Sequence, residues 1–220
     1  MSDGYQPPLV YFLARQHGLA YLQMPKVACS SFRSALVLLD HPGLSREELA
    51  EPGSLVKHPE WSDIAGPESP FLRSCLRFTF VRDPIARFIS FYRSKIARVD
   101  GQATRPRFLR MGFSAEMSMA DVLDRLGDTA PEELDSHAVP QSAFVMRRGR
   151  LQVDFIGRLE RLAEDMKLIE ARAGATLELP HRNQTINARP DDARAQLPTK
   201  LHERLVRFYA ADFALLGYEP

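Results

Sequence analysis

The stretch YLQMPKVACSSFRSAL, Tyr21 to Leu36, constrains the fold more than any other part of the chain. It opens with strand-forming residues, turns at Pro25 and Lys26, and from Ser30 onward places Phe32, Ala35, Leu36 and Leu39 at helical spacing. A strand that turns directly into a helix aims its carboxyl end and the free N–H groups of the helix at one place, where the helix dipole favours an anion. Lys26 adds a full positive charge there, and Ser30 and Ser31 add hydroxyl donors. The pattern describes a phosphate or sulfate cradle; a solvated lysine beside a serine helix cap is the plainer alternative.

The flanking sequence extends this unit into a layered fold. Val10 to Ala14 and Leu19 to Gln23 are apolar runs around RQHG, a hairpin signal. LRFTFVRDP predicts a strand over Arg77 to Val81, then a helix to about Arg98, with Asp83 as its cap and Pro84 at its first position. Further helices are predicted from Met119 to Leu126 behind Ser118 and from about Lys200 to Leu215. LQVDFIGRLE reads as a strand entering a helix over Leu159 to Ala173. Strands alternating with helices predict an α/β fold with a central, mainly parallel sheet flanked by helices.

At 220 residues the chain predicts a single domain over residues 1–220. A net charge of +1 points to no nucleic acid, so any electrostatic recognition is local. Cys29 and Cys75, the only cysteines, exclude a disulfide framework and read as small core residues in a reducing compartment. The first residues show no basic n-region followed by an apolar h-region, and no run approaches the roughly 18 apolar residues of a transmembrane segment. The expected location is cytoplasmic.

The cradle is not the familiar nucleotide loop. G-x-x-x-x-G-K-[ST] is absent, the nearest glycine before Lys26 is Gly18, and no G-x-G occurs, which also weighs against a dinucleotide fingerprint. A second anion signal lies in FTFVRDPIARFISFYRSK, where Arg82 ends the strand and Ser90 sits two turns into the helix, with Arg87 between them at a spacing that turns it elsewhere. An arginine fork beside a serine hydroxyl suits a terminal phosphate monoester. Two such sites predict a ligand carrying phosphates at both ends.

MPKVACSSF resembles the 5′-phosphosulfate loop, and FVRDPIARFISFYRSK the 3′-phosphate motif, of sulfotransferases that use 3′-phosphoadenosine 5′-phosphosulfate (PAPS). The sequence is similar to the carbohydrate branch that includes the HNK-1, chondroitin 4-O- and heparan sulfate 2-O-sulfotransferases. HGLAYLQMPKVACSSF resembles its entry hairpin, SHAVPQS its His-x-x-x-Gln segment, VDFIGRLERLAEDM its D-F-x-G-x-x-E-x-L-x-x-D segment and FYAADFALLGY its terminal D-F-x-x-x-G-Y. These segments run in order from Leu19 to Tyr218.

The resemblance implies a P-loop-like sulfotransferase fold. It also implies that Lys26, Ser30 and Ser31 hold the 5′-phosphosulfate, aided by the backbone N–H groups of Val27, Ala28, Cys29, Ser30 and Ser31, and that Arg82 and Ser90 hold the 3′-phosphate. The product would be adenosine 3′,5′-bisphosphate, with Lys26 stabilising the departing oxygen and no metal required. The attacking hydroxyl needs a base, for which histidine is suited near neutral pH. His58 in SLVKHPEW, at the end of a possible short strand, is the first candidate and His137 in LDSHAVPQS the second, with Glu60 and Asp63 as outside candidates.

The expected partner is a carbohydrate or another hydroxyl-bearing acceptor. Arg105, Arg107 and Arg110, and Arg147, Arg148 and Arg150, form basic clusters that either grip an acidic sugar or are solvated faces. Arg182, Asn183 and Asn187 lie in a late basic loop of the kind that closes over the nucleotide in sulfotransferases, and Tyr92, Arg93 and Lys95 are further neighbours of the cofactor motif. Animal enzymes of this branch are typically anchored in the Golgi and carry extra cysteines; this sequence departs on both counts, which widens the acceptor to precursor sugars, lipid-linked sugars and small metabolites. A P-loop-like nucleotide kinase and a non-catalytic nucleotide-binding module are the alternatives. The sequence leaves the oligomeric state open.

Overall fold

The computed structural model describes residues 6–50, 54–97, 106–179, 194–195 and 197–220. In chain order the elements begin with β1 (Tyr11–Ala14), β2 (Leu19–Leu22), α1 (Cys29–Asp40), α2 (Arg46–Ala50), α3 (Ser54–Lys57), β3 (Asp63–Ala65) and β4 (Leu76–Val81). They continue with α4 (Pro84–Phe91), α5 (Pro106–Arg110), α6 (Met119–Gly127), α7 (Ser142–Val145), β5 (Met146–Arg147), β6 (Arg150–Leu151), β7 (Phe155–Arg158), α8 (Leu162–Ala173), α9 (Thr199–Phe208) and α10 (Ala210–Leu216). The chain divides into two compact units, one of residues 8–81 and 145–186, the other of residues 1–7, 82–144 and 187–220.

The first unit holds a five-stranded sheet of order β3-β1-β2-β4-β7, flanked by helices. Pairs β3–β1 and β1–β2 are antiparallel, while β2–β4 and β4–β7 are parallel. The sheet is therefore mixed and not mainly parallel. The hairpin accounts for one antiparallel pair, and the short DIA segment, which has no apolar run to announce it, adds β3 as an antiparallel edge strand. All four residues of β1 and of β2 are buried.

Helix α1 is fixed to this sheet through Phe32, whose ring stacks on Tyr21 of β2 at 5.0 Å and on Phe80 of β4 at 4.6 Å. Burying such a ring stabilises by about 1.5–3 kcal/mol, and each aromatic pair adds about 0.5–1.5 kcal/mol. The Thr79 hydroxyl donates to the Leu22 carbonyl at 2.8 Å, tying the carboxyl ends of β2 and β4 together. The MRRGR cluster makes the tight β5–β6 hairpin, with Arg148 (φ 46°) and Gly149 (φ 72°) both left-handed, as a two-residue turn requires. Cys29 and Cys75 are half-buried instead of forming core; they head α1 and lead into β4.

The second unit is helical. Ile85, Phe88 and Phe91 of α4 pack with Phe108 and Phe113, with Val122, Leu123 and Leu126 of α6, and with Leu201, Leu205 and Phe213. Asp83 caps α4, its Oδ1 accepting from the Ala86 N–H at 2.8 Å, and Pro84 takes the first position. The α-helical ladder stops at Phe91 and widens into a π-helical turn over Tyr92–Ile96; Arg98, the expected end, lies outside the described residues. Helix α6 has a capping box between Ser118 and Asp121. The expected terminal helix is two helices, α9 and α10, broken at Tyr209, which is buried and donates its hydroxyl to the Ala138 carbonyl at 3.1 Å.

Candidate functional site

In the sheet unit, the turn between β2 and α1 carries the candidate phosphosulfate residues. Lys26 (φ 68°) and Ala28 (φ 49°) both take the left-handed conformation that non-glycine residues seldom adopt, with Val27 between them at negative φ. Alternation of this kind turns successive backbone N–H groups to one side and forms an anion-binding concavity. Val27 is fully buried and pins the turn, while Lys26 is half-buried. The first turn of α1 contains no acidic residue and Ala28 offers no capping side chain, so the positive end of the helix is left without an anion from its own sequence.

Ser30 is half-buried at the mouth of α1, and Ser31 is buried one position further in. The Ser31 N–H donates to the Ala28 carbonyl at 2.9 Å, as does that of Phe32 at 3.1 Å. The backbone donors at the turn itself are thus those of Val27, Ala28, Cys29 and Ser30. A separate cavity of about 580 Å³ opens among Arg73, Arg77, Asp154 and Arg172. It lies at the amino end of β4, away from the strand ends that carry the turn, and Asp154 there is held below its ordinary carboxylate range by its hydrogen bonds and ion pair with Arg77.

His58 is not at the end of a strand: it follows the helical turn α3 and starts a 3-10 turn over Pro59–Trp61. Its exposed ring stacks on Trp61 at 4.1 Å and its Nδ1 lies 3.1 Å from Glu60 Oε1. Glu60 is exposed, and Asp63 is engaged by Arg15.

In the helical unit, Arg82 is buried and its backbone is clamped: the Arg82 N–H donates to Gln141 Oε1 at 2.9 Å, and Gln141 Nε2 donates to the Arg82 carbonyl at 2.8 Å. Gln141 is itself held by Asp212, whose two oxygens accept from the N–H groups of Gln141 (2.9 Å) and Ser142 (2.7 Å). Ser90 is half-buried on α4. Arg87 is indeed turned elsewhere: it is 1% exposed, and its guanidinium donates to the carbonyls of Val139 at 2.9 Å and Ser136 at 3.3 Å.

These contacts converge on the segment that carries His137. Its Nδ1 lies 2.5 Å from Asp135 Oδ1, and its backbone N–H donates to the same oxygen at 2.9 Å. Arg107 approaches the other oxygen, Oδ2, at 3.0 Å, so this member of the first basic cluster is committed to an acid. Burial would raise the Asp135 carboxyl, but the hydrogen bonds and charge of His137 and the charge of Arg107 outweigh it and hold it below its ordinary range. Arg105, Arg182, Asn183 and Asn187 lie outside the described residues.

Sequence reasoning missed Asp135, Gln141 and Asp212 as individual roles. Gln141 and Asp212 were present in it only as letters of H-x-x-x-Q and D-F-x-x-x-G-Y, and the structure joins those two segments directly. Among the described residues no group of His, Cys, Asp and Glu could hold a metal ion, and no helix is long and apolar enough to cross a membrane.

Residues 10–219 match the model of a sulfotransferase family, and the chain belongs to that family. It is 26% identical to carbohydrate sulfotransferase 12 of Xenopus laevis and 28% identical to that of Mus musculus, each match covering 92% of this chain and 58% of the relative. It is 27% identical to carbohydrate sulfotransferase 14 of Danio rerio, over 92% of this chain and 60% of that protein. The chain thus spans about three fifths of the length of these relatives. No solved structure matches it.

Proposed function

We propose that this protein transfers a sulfuryl group from PAPS to a hydroxyl of a carbohydrate acceptor. The observation that carries the reading is the Lys26–Ala28 turn, where two non-glycine residues hold left-handed backbone at the amino end of a helix whose first turn has no acid. Strain of about 1–2 kcal/mol at each such residue persists where the surroundings impose it, and it clusters at ligand sites. The family and the names of the relatives support sulfuryl transfer and a sugar acceptor.

The donor supplies an activated sulfuryl group and two anionic ends. Lys26, the hydroxyls of Ser30 and Ser31 and the backbone donors of Val27, Ala28, Cys29 and Ser30 would bind the 5′-phosphosulfate, and Arg82 and Ser90 the 3′-phosphate. Sulfuryl transfer needs the attacking and departing oxygens in line, so catalysis rests on positioning and charge stabilisation. Lys26 would stabilise negative charge on the departing phosphate oxygen. Of the two histidines, His137 is the better supported base: it is partly buried on a clamped segment, whereas His58 is exposed on a short turn.

Calorimetric titration with adenosine 3′,5′-bisphosphate, against ADP and without metal, tests the reading. Binding that requires the 3′-phosphate is the expected result. Preference for ADP, or binding only with Mg²⁺, would move the protein to nucleotide phosphotransfer.

A further inference from the structure

We infer that Asp135 is a positioning residue for the transfer, fixing His137 as the Nδ1–H tautomer so that Nε2 is the basic atom; the inference rests on His137 being the base. The carboxylate is 1% exposed, and one of its oxygens meets both the ring and the backbone N–H of His137, at 2.5 Å and 2.9 Å. An ionised carboxylate has no proton to give, so the proton between them resides on Nδ1. The lone pair of the imidazole is then on Nε2.

The carboxylate is held in its turn. Asp135 also supplies the carbonyl that accepts from the N–H groups of Ala138 (2.8 Å) and Val139 (3.2 Å), closing a tight turn around His137. The Arg87 guanidinium fixes the carbonyls of Ser136 and Val139 from α4, and the Tyr209 hydroxyl fixes that of Ala138. Arg107 on α5 neutralises the oxygen that His137 does not use. A buried carboxylate is strongly disfavoured without such partners, so ring, acid and arginine form one unit.

The step balances within this unit. As the acceptor oxygen bonds to sulfur, its proton passes to Nε2, and the sulfur–oxygen bond to the donor's phosphate breaks with its electron pair leaving on the phosphate oxygen. The imidazolium keeps its proton on Nδ1, and Asp135 stabilises the new charge without accepting that proton.

Nitrogen-resolved NMR of the His137 ring in the full chain tests the inference without any acceptor. The neutral ring is expected as Nδ1–H in the wild-type protein, with the Nε2–H form appearing in Asp135→Asn; Nε2–H in the wild-type protein overturns the proposal whether or not the variant folds. Turnover is read as transfer of labelled sulfate from PAPS to unsulfated chondroitin and heparosan. Asp135→Asn is expected to lower kcat about 100-fold, within the range of acid–base contributions, with KM for PAPS unchanged. Full turnover in His137→Ala would remove the base assignment itself, whereas an inactive His137→Ala beside a fully active Asp135→Asn would remove only the role of Asp135.

Discussion

The side-chain amide of Gln141 closes on both backbone polar groups of Arg82, accepting from its N–H at 2.9 Å and donating to its carbonyl at 2.8 Å. Both residues are buried, so neither backbone group has water to replace the amide. Arg82 is therefore presented by a side chain 59 residues away in the sequence, and not by the strand end alone. Leaving a buried donor and acceptor unpaired costs about 1–3 kcal/mol each. Gln141→Ala is expected to lower unfolding free energy by about 2–6 kcal/mol in urea titrations. An unchanged midpoint would show that the clamp is not formed in solution.

Arg82 itself separates from this scaffold by its effect on ligand. Arg82→Ala keeps the backbone groups that Gln141 binds and removes the side chain beyond Cβ, guanidinium included. Affinity for adenosine 3′,5′-bisphosphate is expected to fall by about 1.5–3 kcal/mol, the worth of a charge-assisted contact, with far less change in affinity for 5′-AMP. Equal loss for both nucleotides would take the 3′-phosphate away from Arg82.

The left-handed backbone of Ala28 makes a prediction that charge does not enter. That conformation costs an alanine about 1–2 kcal/mol, while glycine escapes the cost but loses about 0.5–1 kcal/mol through the freedom of its unfolded chain. Ala28→Gly should accordingly stabilise by up to about 1 kcal/mol, and the β-branched Ala28→Val should destabilise by more than about 1 kcal/mol. Thermal and urea unfolding of the two variants check this, and an Ala28→Val variant as stable as wild type would contradict the turn geometry at φ 49°.

The parts of the fold legible in the sequence are those written in local signals. The strand, turn and helix around Lys26 follow from periodicity, the cap at Asp83 from its place before Pro84, and the α6 start from Ser118. The antiparallel β1–β2 hairpin was legible from its two apolar runs, but the edge strand β3 was not, because it is three residues without an apolar run and its pairing with β1 spans some fifty residues. The break at Tyr209 was hidden for a similar reason: the apolar stripe runs through it, and the backbone leaves the helix (φ −100°, ψ 23°) at a residue whose hydroxyl is tied to the Ala138 carbonyl, 71 residues away. The segments that carried the family resemblance were legible as letters and not as parts. Asp165 accepts from the Arg158 N–H at 2.7 Å, and Asp212 holds Gln141, so both are scaffold acids.

Gly157 shows how one of those letters is imposed by packing. Strand β7 pairs Gly157 with Phe80, and a Cβ on residue 157 would stand 2.4 Å from the Phe80 ring, closer than real contacts allow. Phe80 is also the ring on which Phe32 of α1 stacks, so it has little room to retreat. Overpacking of this kind costs about 1–3 kcal/mol. Gly157→Ala is expected to fall in that range, and the Gly157→Ala, Phe80→Leu double variant to recover part of the loss. A single variant as stable as wild type would mean that β4 and β7 are not in this register.

Asp135 gives stability a pH dependence whose direction follows from its environment. Burial opposes its ionisation, but His137 and Arg107 together outweigh burial and keep its folded-state pKa below the unfolded value of about 3.9. The unfolded chain therefore takes up this proton first as pH falls, and the stabilisation, fully present above about pH 4, is lost as pH drops through the folded-state value. Wild-type unfolding free energy should decline more steeply below about pH 4 than that of Asp135→Asn, which has no proton to bind at this position. Urea titrations of both proteins between neutral pH and about pH 3 measure the difference. Parallel declines would mean that the carboxylate is not held by His137 and Arg107, and the tautomer assigned to His137 would lose its support with it.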